Sequence, residues 1–264
     1  MLLDTARTDD ENQLSWCFTD PKRILTARSS EEVSALVREL EAATEAGKYV
    51  AGYLAYEAGY AFVDLEPPPT DGRPLAWFGV YEAPQQVAPV DVEHGLRDLA
   101  ADCSVSGAVF DRDRATYTQD LRTIRDHIRA GDVYQINYTA PLRFQFGGDP
   151  RALYRRLRHR QHVPYGAYLN LGDTQVLSCS PELFFRKEGE RVWTRPMKGT
   201  IRRGRTLDED RALQEELRTD PKNRAENLMI VDLLRNDLSV CCRPGSVQVP
   251  ALYETEPYDS VTQM

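Results

Sequence analysis

Residues 164–200, PYGAYLNLGDTQVLSCSPELFFRKEGERVWTRPMKGT, string short apolar runs between turn pairs at Gly172-Asp173 and Glu188-Gly189, with no helix-length segment between them. Strands that succeed one another without a crossover helix pair antiparallel, because a parallel return needs a dozen or more connecting residues. This stretch excludes a doubly wound α/β sheet. Runs of strand separated by runs of helix predict an α+β fold of antiparallel sheets flanked by helices.

The helices around it carry their own signals. SSEEVSALVRELEAATEAG opens with a capping box, Ser29 with Glu32, places Val33, Leu36, Val37 and Leu40 at helical spacing, and stops at Gly47. A second amphipathic helix ends at Gly131, with Tyr117, Leu121, Ile124 and Ile128 on one stripe. Asp149-Pro150 opens a short basic helix to about Arg160, and Asp220-Pro221 opens a longer one to about Asp237. YVAGYLAYEAGYAF and LAWFGVYEAP read as an antiparallel pair around the turn-like EPPPTDGRP; DVYQINYTAPLRF and SVQVPALYE read as further strands. Residues 85–110 show the weakest pattern and are read as a linker or excursion.

A net charge of −8, with scattered basic residues, argues against a nucleic-acid partner. The acidic start MLLDTARTDDENQ lacks the features of a signal peptide, and no window approaches a membrane span, so a cytoplasmic chain without a membrane partner is expected. Five cysteines without CxxC spacing argue against a disulfide framework and a cysteine zinc site.

Three positions invite a chemical reading. Glu226 shares a helical row with Ile230 and Leu233, and Asp232 shares the neighbouring row with Ala225, Leu228 and Met229; a carboxylate in apolar surroundings needs a partner. Either Glu226 pairs with Lys222 at the surface or a hard cation such as magnesium holds it. Glu182 shares a strand face with Phe184 if Leu183 and Phe185 point inward; it is then either a proton donor with a raised pKa or a solvated residue. Lys198 sits in RPMKGTIRRG, where every other cation is an arginine. It is either a solvated turn residue or a partly desolvated nucleophile.

Together, AGDVYQINYT, PYGAYLNLGDTQVLSCSPELFF, TRPMKGTIRRG and DPKNRAENLMIVDLLRNDLSVCCRPGSVQV resemble, in order and spacing, the chorismate-utilising enzymes, a family that includes anthranilate, isochorismate and aminodeoxychorismate synthases. The resemblance implies one domain over 1–264, with an N-terminal section 1–110 and the start of a catalytic core 111–264 built on two packed antiparallel sheets. LLDTAR and AGYLAYEAGYAF resemble the compact front section of aminodeoxychorismate synthases.

PMKGT is similar to the PIKGT of aminodeoxychorismate synthases rather than the PIAGT of anthranilate synthases. The resemblance therefore implies a reaction of chorismate with ammonia, supplied by a glutamine amidotransferase subunit, that gives 4-amino-4-deoxychorismate for para-aminobenzoate and folate synthesis. It makes Lys198 the nucleophile and Glu182, in SPE, the general acid. Glu226, in AEN, becomes a Mg²⁺ ligand, and Thr200 and Gly199 become substrate contacts. Anthranilate formation is the alternative within the family. The sequence stops at YDSVTQM where the family continues toward HL.S, so the resemblance implies a C-terminally truncated core that lacks a second magnesium carboxylate. On that expectation, a non-catalytic binding fragment is the rival from another class.

Overall fold

In a computed structural model, which describes residues 1–66, 68, 72–99 and 102–264, the chain is α+β and every strand pairing is antiparallel. It divides into two compact units, one formed by Met1–Asp98 with Tyr154–Met264 and the other by Leu99–Leu153. No helix among the described residues is long and apolar enough to cross a membrane.

The larger unit begins with β1 (Leu2–Asp4), β2 (Ser15–Cys17) and β3 (Arg23–Ala27), followed by α1 (Ser30–Glu45). The capping half of the box forms, Ser29 Oγ accepting from the Glu32 N–H, while Glu32 Oε2 accepts from the Arg28 N–H, one residue before the cap, at 2.6 Å. Val33 and Leu36 are buried against β3, β4 (Tyr49–Leu54) and β5 (Ala76–Tyr81), each burial contributing about 1.5–3 kcal/mol. β4 and β5 pair from Tyr49↔Tyr81 to Leu54↔Ala76, as expected. The run after Leu54 is not strand but a 3-10 helix, Tyr56–Phe62, and the turn read at 66–74 lies partly outside the described residues.

Residues 85–110 hold three regular elements instead of a linker: β6 (Gln85–Val87), α2 (Pro89–Leu99) and β7 (Cys103–Phe110). Among the α2 residues whose side chains are described, Val92 and Leu96 are the buried hydrophobics, one i, i+4 pair on its inner face. The smaller unit pairs β7 with β8 (Leu142–Gly148) beside α3 (Arg114–Ala130), which Gly131 caps. Residues 132–141 are irregular; Pro141, without an N–H, stands at the point where β8 begins.

From α4 (Pro150–Arg160) the chain runs through β9 (Tyr165–Asn170), β10 (Gln175–Ser180), β11 (Leu183–Glu188), β12 (Arg191–Arg195) and β13 (Thr200–Arg202). It then forms α5 (Leu207–Thr219), α6 (Pro221–Cys241), β14 (Glu256–Pro257) and β15 (Val261–Gln263). The strand expected over 246–254 is replaced by irregular chain, and α5 was not anticipated. Its signal, Thr206 with Glu209, is a capping box: the Thr206 hydroxyl accepts from the Glu209 N–H at 3.2 Å.

β1 lies inside the five-stranded sheet β10-β9-β1-β2-β6. There Asp4, whose side chain is fully buried, accepts hydrogen bonds from Arg158 Nε (2.7 Å), Tyr154 Oη (2.9 Å) and Ser15 Oγ (3.1 Å). Burial, then the Asp4 carboxylate, push the Tyr154 phenol far above its ordinary range, so it stays a donor. Arg158 also reaches Glu93 of α2 at 3.2 Å. Removing one partner strands the other: Arg158→Met is expected to cost about 3–5 kcal/mol in urea unfolding, while adding Asp4→Leu to it recovers part of the loss.

Candidate active site

The hairpin β11–β12 sets the geometry of the first residues. Its register pairs Leu183 with Arg195, so the residue before β11 faces the residues after β12. Glu182 Oε1 consequently accepts the Met197 N–H at 3.0 Å, beside Lys198. A register shift between Leu183 and Arg186 overturns the expected facing of this strand: Leu183 is buried, but Phe185 is exposed and stacks edge-on with Phe184 at 5.1 Å. Glu182 is exposed rather than pressed against apolar surface.

The segment after Glu182's contact is clasped from the other side. β13 pairs with β15 through Thr200↔Gln263, Ile201↔Thr262 and Arg202↔Val261. The ladder continues backwards: the Lys198 N–H donates to the Met264 carbonyl at 2.8 Å, and the Met264 N–H donates to the Gly199 carbonyl at 3.0 Å. The Thr200 hydroxyl donates to Gln263 Oε1 at 2.7 Å. Gly199 takes φ +97°, and a Cβ there would stand 3.2 Å from Asn223 Oδ1, so both conformation and space favour glycine.

That approach fixes the relation to α6. Asn223 lies in its first turn, its N–H capped by Asp220 at 2.7 Å, and Glu226 lies one turn further on. The Glu226 side chain is 28% exposed and its Oε1 is 3.7 Å from Lys222 Nζ. The surface-pair reading of Glu226 is thus realised, with most of the carboxylate still sheltered. Asp232 does not share that shelter: it is 65% exposed and pairs with Arg235 at 2.6 Å. The apolar row is not a core-facing one either, since Leu228 and Leu233 are about half exposed and Asn227 is the buried residue of the helix.

Glu182, Lys198, Gly199 and Thr200 therefore adjoin one another, and Glu226 stands one turn from the helix residue that Gly199 touches. Neither Glu226 nor Glu182 forms an ion pair with Lys198 among the described residues. No group of three or more His, Cys, Asp or Glu converges to hold a metal among them. A magnesium ion needs only one or two protein carboxylates when water and substrate oxygens complete its shell, so the donor set at Glu226 fits a singly anchored ion.

The arginines of the segment have other work. Arg203 grips Asp210 through two bonds of 2.7 Å, the Gly204 N–H adds a third at 2.8 Å, and a Cβ on Gly204 would collide with the Asp210 backbone. Arg202 binds Glu209 at 2.6 Å, and Arg195 binds Tyr165 Oη at 3.0 Å with Glu11 at 3.3 Å. Lys198, half-buried, keeps its amine out of any ion pair among the described residues. Asp210 and Arg195 were not singled out from the sequence; acidic residues at the start of α5 were the available signal.

A cavity of about 550 Å³ in the larger unit is lined by Asp4, Asn12, Trp16, Tyr165 and Arg186, among others. The LLDTA stretch contributes Leu3, Asp4 and Thr5 to its wall.

Residues 3–264 match the family described as chorismate binding enzyme. The chain belongs to the chorismate binding enzymes. It is 42% identical over 165 residues to the chloroplastic aminodeoxychorismate synthase of Arabidopsis thaliana, covering 61% of this chain and 18% of that one. It is 39% identical over 148 residues to aminodeoxychorismate synthase component 1 of Klebsiella aerogenes, covering 56% and 33%. To anthranilate synthase component 1 of Saccharolobus solfataricus it is 33% identical over 225 residues, covering 80% and 52%. The chain thus spans a third or less of the length of the first two relatives.

The fold is shared with anthranilate synthase component I from Streptococcus pneumoniae TIGR4, at TM-score 0.73 and 20% identity, over 97% of this chain and 70% of that one. It is also shared with the putative 2,3-dihydroxybenzoate-specific isochorismate synthase DhbC from Bacillus anthracis, at TM-score 0.66 and 18% identity, over 99% and 66%.

The two arginine–carboxylate grips give an acid-side prediction. The Arg203 guanidinium, then the Gly204 N–H, hold the Asp210 carboxyl well below the usual carboxylate range. A depressed folded-state pKa contributes stability that is present above the unfolded value, near pH 4, and is lost as pH falls below it. Thermal melts of Asp210→Asn are expected to depend less on pH below about pH 4 than those of the unaltered chain.

Proposed function

We propose that this chain carries the aminodeoxychorismate synthase reaction, in which chorismate and ammonia give 4-amino-4-deoxychorismate and water. The observation that carries the reading is Lys198: a half-buried residue without an ion-pair partner among the described residues, beside Glu182 and between arginines engaged with other groups. An amine held in an ion pair is not available to attack carbon; one outside an ion pair is, once it has lost its proton.

Lys198 Nζ adds to C2 of the substrate ring as the double bonds shift and the C4 hydroxyl departs. Glu182 delivers the proton that turns this hydroxyl into water. Ammonia then adds at C4, the electrons shift back, and the Lys198 amine leaves C2, restored for the next turnover. Thr200 Oγ1, whose hydrogen is directed at Gln263, offers its lone pairs to a substrate hydroxyl, and Gly199 lets the substrate approach the backbone. Glu226 would hold Mg²⁺, which when bound neutralises a substrate carboxylate. The chain 1–264 is proposed to act as one chorismate-utilising domain, with ammonia drawn from a glutamine amidotransferase partner. A cytoplasmic setting fits that chemistry.

The longer alignment with an anthranilate synthase keeps one second reading, in which the product is anthranilate. Incubation with chorismate, Mg²⁺ and ammonium, followed by mass analysis of products, separates them. The expected product is 4-amino-4-deoxychorismate; anthranilate would overturn the lysine-based reading. Lys198→Ala is expected to abolish the covalent route, and Glu182→Gln to slow turnover by about 10²–10⁴-fold. Undiminished product from Lys198→Ala would show that the lysine is dispensable.

A further inference from the structure

Two chain segments meet at Lys198, and both lead back to one side chain. Arg195 lies three residues before Lys198 at the end of β12, and Glu256, in β14, lies 3.9 Å from Arg195 Nη1. β14 pairs with β15 through Glu256↔Gln263 and Pro257↔Thr262, and β15 leads into Met264, whose carbonyl receives the Lys198 N–H. Arg195 thus closes a ring: along residues 196–197, which follow β12, to Lys198, across to Met264, and back through the β15–β14 ladder to Glu256.

The second arm of the guanidinium, Nη2, fastens this ring to the rest of the unit. Nη2 donates to Tyr165 Oη of β9 at 3.0 Å and lies 3.3 Å from Glu11 Oε2. The β14–β15 hairpin has further ties: Arg7 donates to the Pro257 carbonyl at 2.9 Å, Asp259 accepts from His162 at 2.7 Å, and Glu256 accepts from Tyr258 Oη at 2.7 Å. Those ties hold the hairpin, whereas Arg195 alone among these side chains belongs to the segment that runs into Lys198. A planar fork held by three groups fixes its backbone in a way that a single charge on a flexible stem does not.

We propose that Arg195 is a positioning residue that sets the backbone of Met197–Gly199, and with it the placement of the Lys198 amine against Glu182. The inference rests on the role given to Lys198 above. Misplacement of a reacting group by about 1 Å costs up to about 10²-fold in rate, so the effect belongs in kcat. Arg195→Ala, in the full chain with ammonium as nitrogen source, is expected to lower kcat by about 10- to 100-fold per folded molecule, with KM for chorismate within about twofold. Arg195→Lys, which restores charge but not the fork, is expected to recover only part of the rate.

Two readouts need no turnover. In Arg195→Ala, amide exchange at residues 197–199 and 264 is expected to quicken while α1 and the β3–β5 sheet stay protected. Acylation of Lys198 by a lysine-directed reagent, followed by mass spectrometry, is expected to change rate against the other lysines. Lost kcat with unchanged amides and unchanged labelling would overturn the proposal, since Arg195 would then act on substrate directly. Wild-type kcat would overturn it as well. If the unaltered chain makes no product from chorismate, the catalytic reading of Lys198 fails; quickened exchange at 197–199 would still support the positioning role of Arg195, and unchanged exchange would refute it.

Discussion

The buried carboxylate of Asp4 is the constraint around which the larger unit is arranged. A charge with no solvent exposure persists only if donors surround it, and here they come from residues far apart in the chain: Arg158, Tyr154 and Ser15. β1 must enter between β2 and β9 in the one register that presents Asp4 to α4, because a slip of one residue would turn the carboxylate to the opposite face. That register places β9, whose Tyr165 holds Arg195. The buried pair and the candidate site are thus linked through the five-stranded sheet.

At the site, backbone pairing does more positioning than side-chain contact. Lys198 is held through its N–H, Glu182 reaches the backbone of Met197, and Gly199 meets Asn223 closely because it has no side chain. The amine itself is left out of these bonds. The nucleophile role proposed for Lys198 would draw on this combination of a fixed backbone and a side chain outside any ion pair among the described residues. The surrounding arginines are engaged with Asp210, Glu209 and Glu11, so the positive charge of this stretch is largely neutralised.

Elements with a strong local signal were legible in the sequence. The Ser29–Glu32 box gave α1, Pro150 and Pro221 gave the starts of α4 and α6, and the glycine turns gave β9–β12. The failures share a cause. α2 packs through Val92 and Leu96, β11 is bulged so that Phe185 turns outward, and residues 246–254 pair with no strand among the described residues. Each depends on distant contacts that a local window does not contain.

The sequence by itself determined the antiparallel α+β class, the family, and which residues are chemically distinctive: Lys198, Glu182, Thr200, Gly199 and Glu226. It did so because turn spacing and residue type are local properties. The tertiary structure decided which of these adjoin, that Glu226 takes the Lys222 partner its helix spacing offered, that Asp232 faces solvent, and that Arg195 ties Glu11, Tyr165 and Glu256 to the Lys198 segment. The Arg195 ties and the Asp4–Arg158 pair join residues far apart in the chain and form only after strands have chosen their partners, so no reading along the chain could have supplied them.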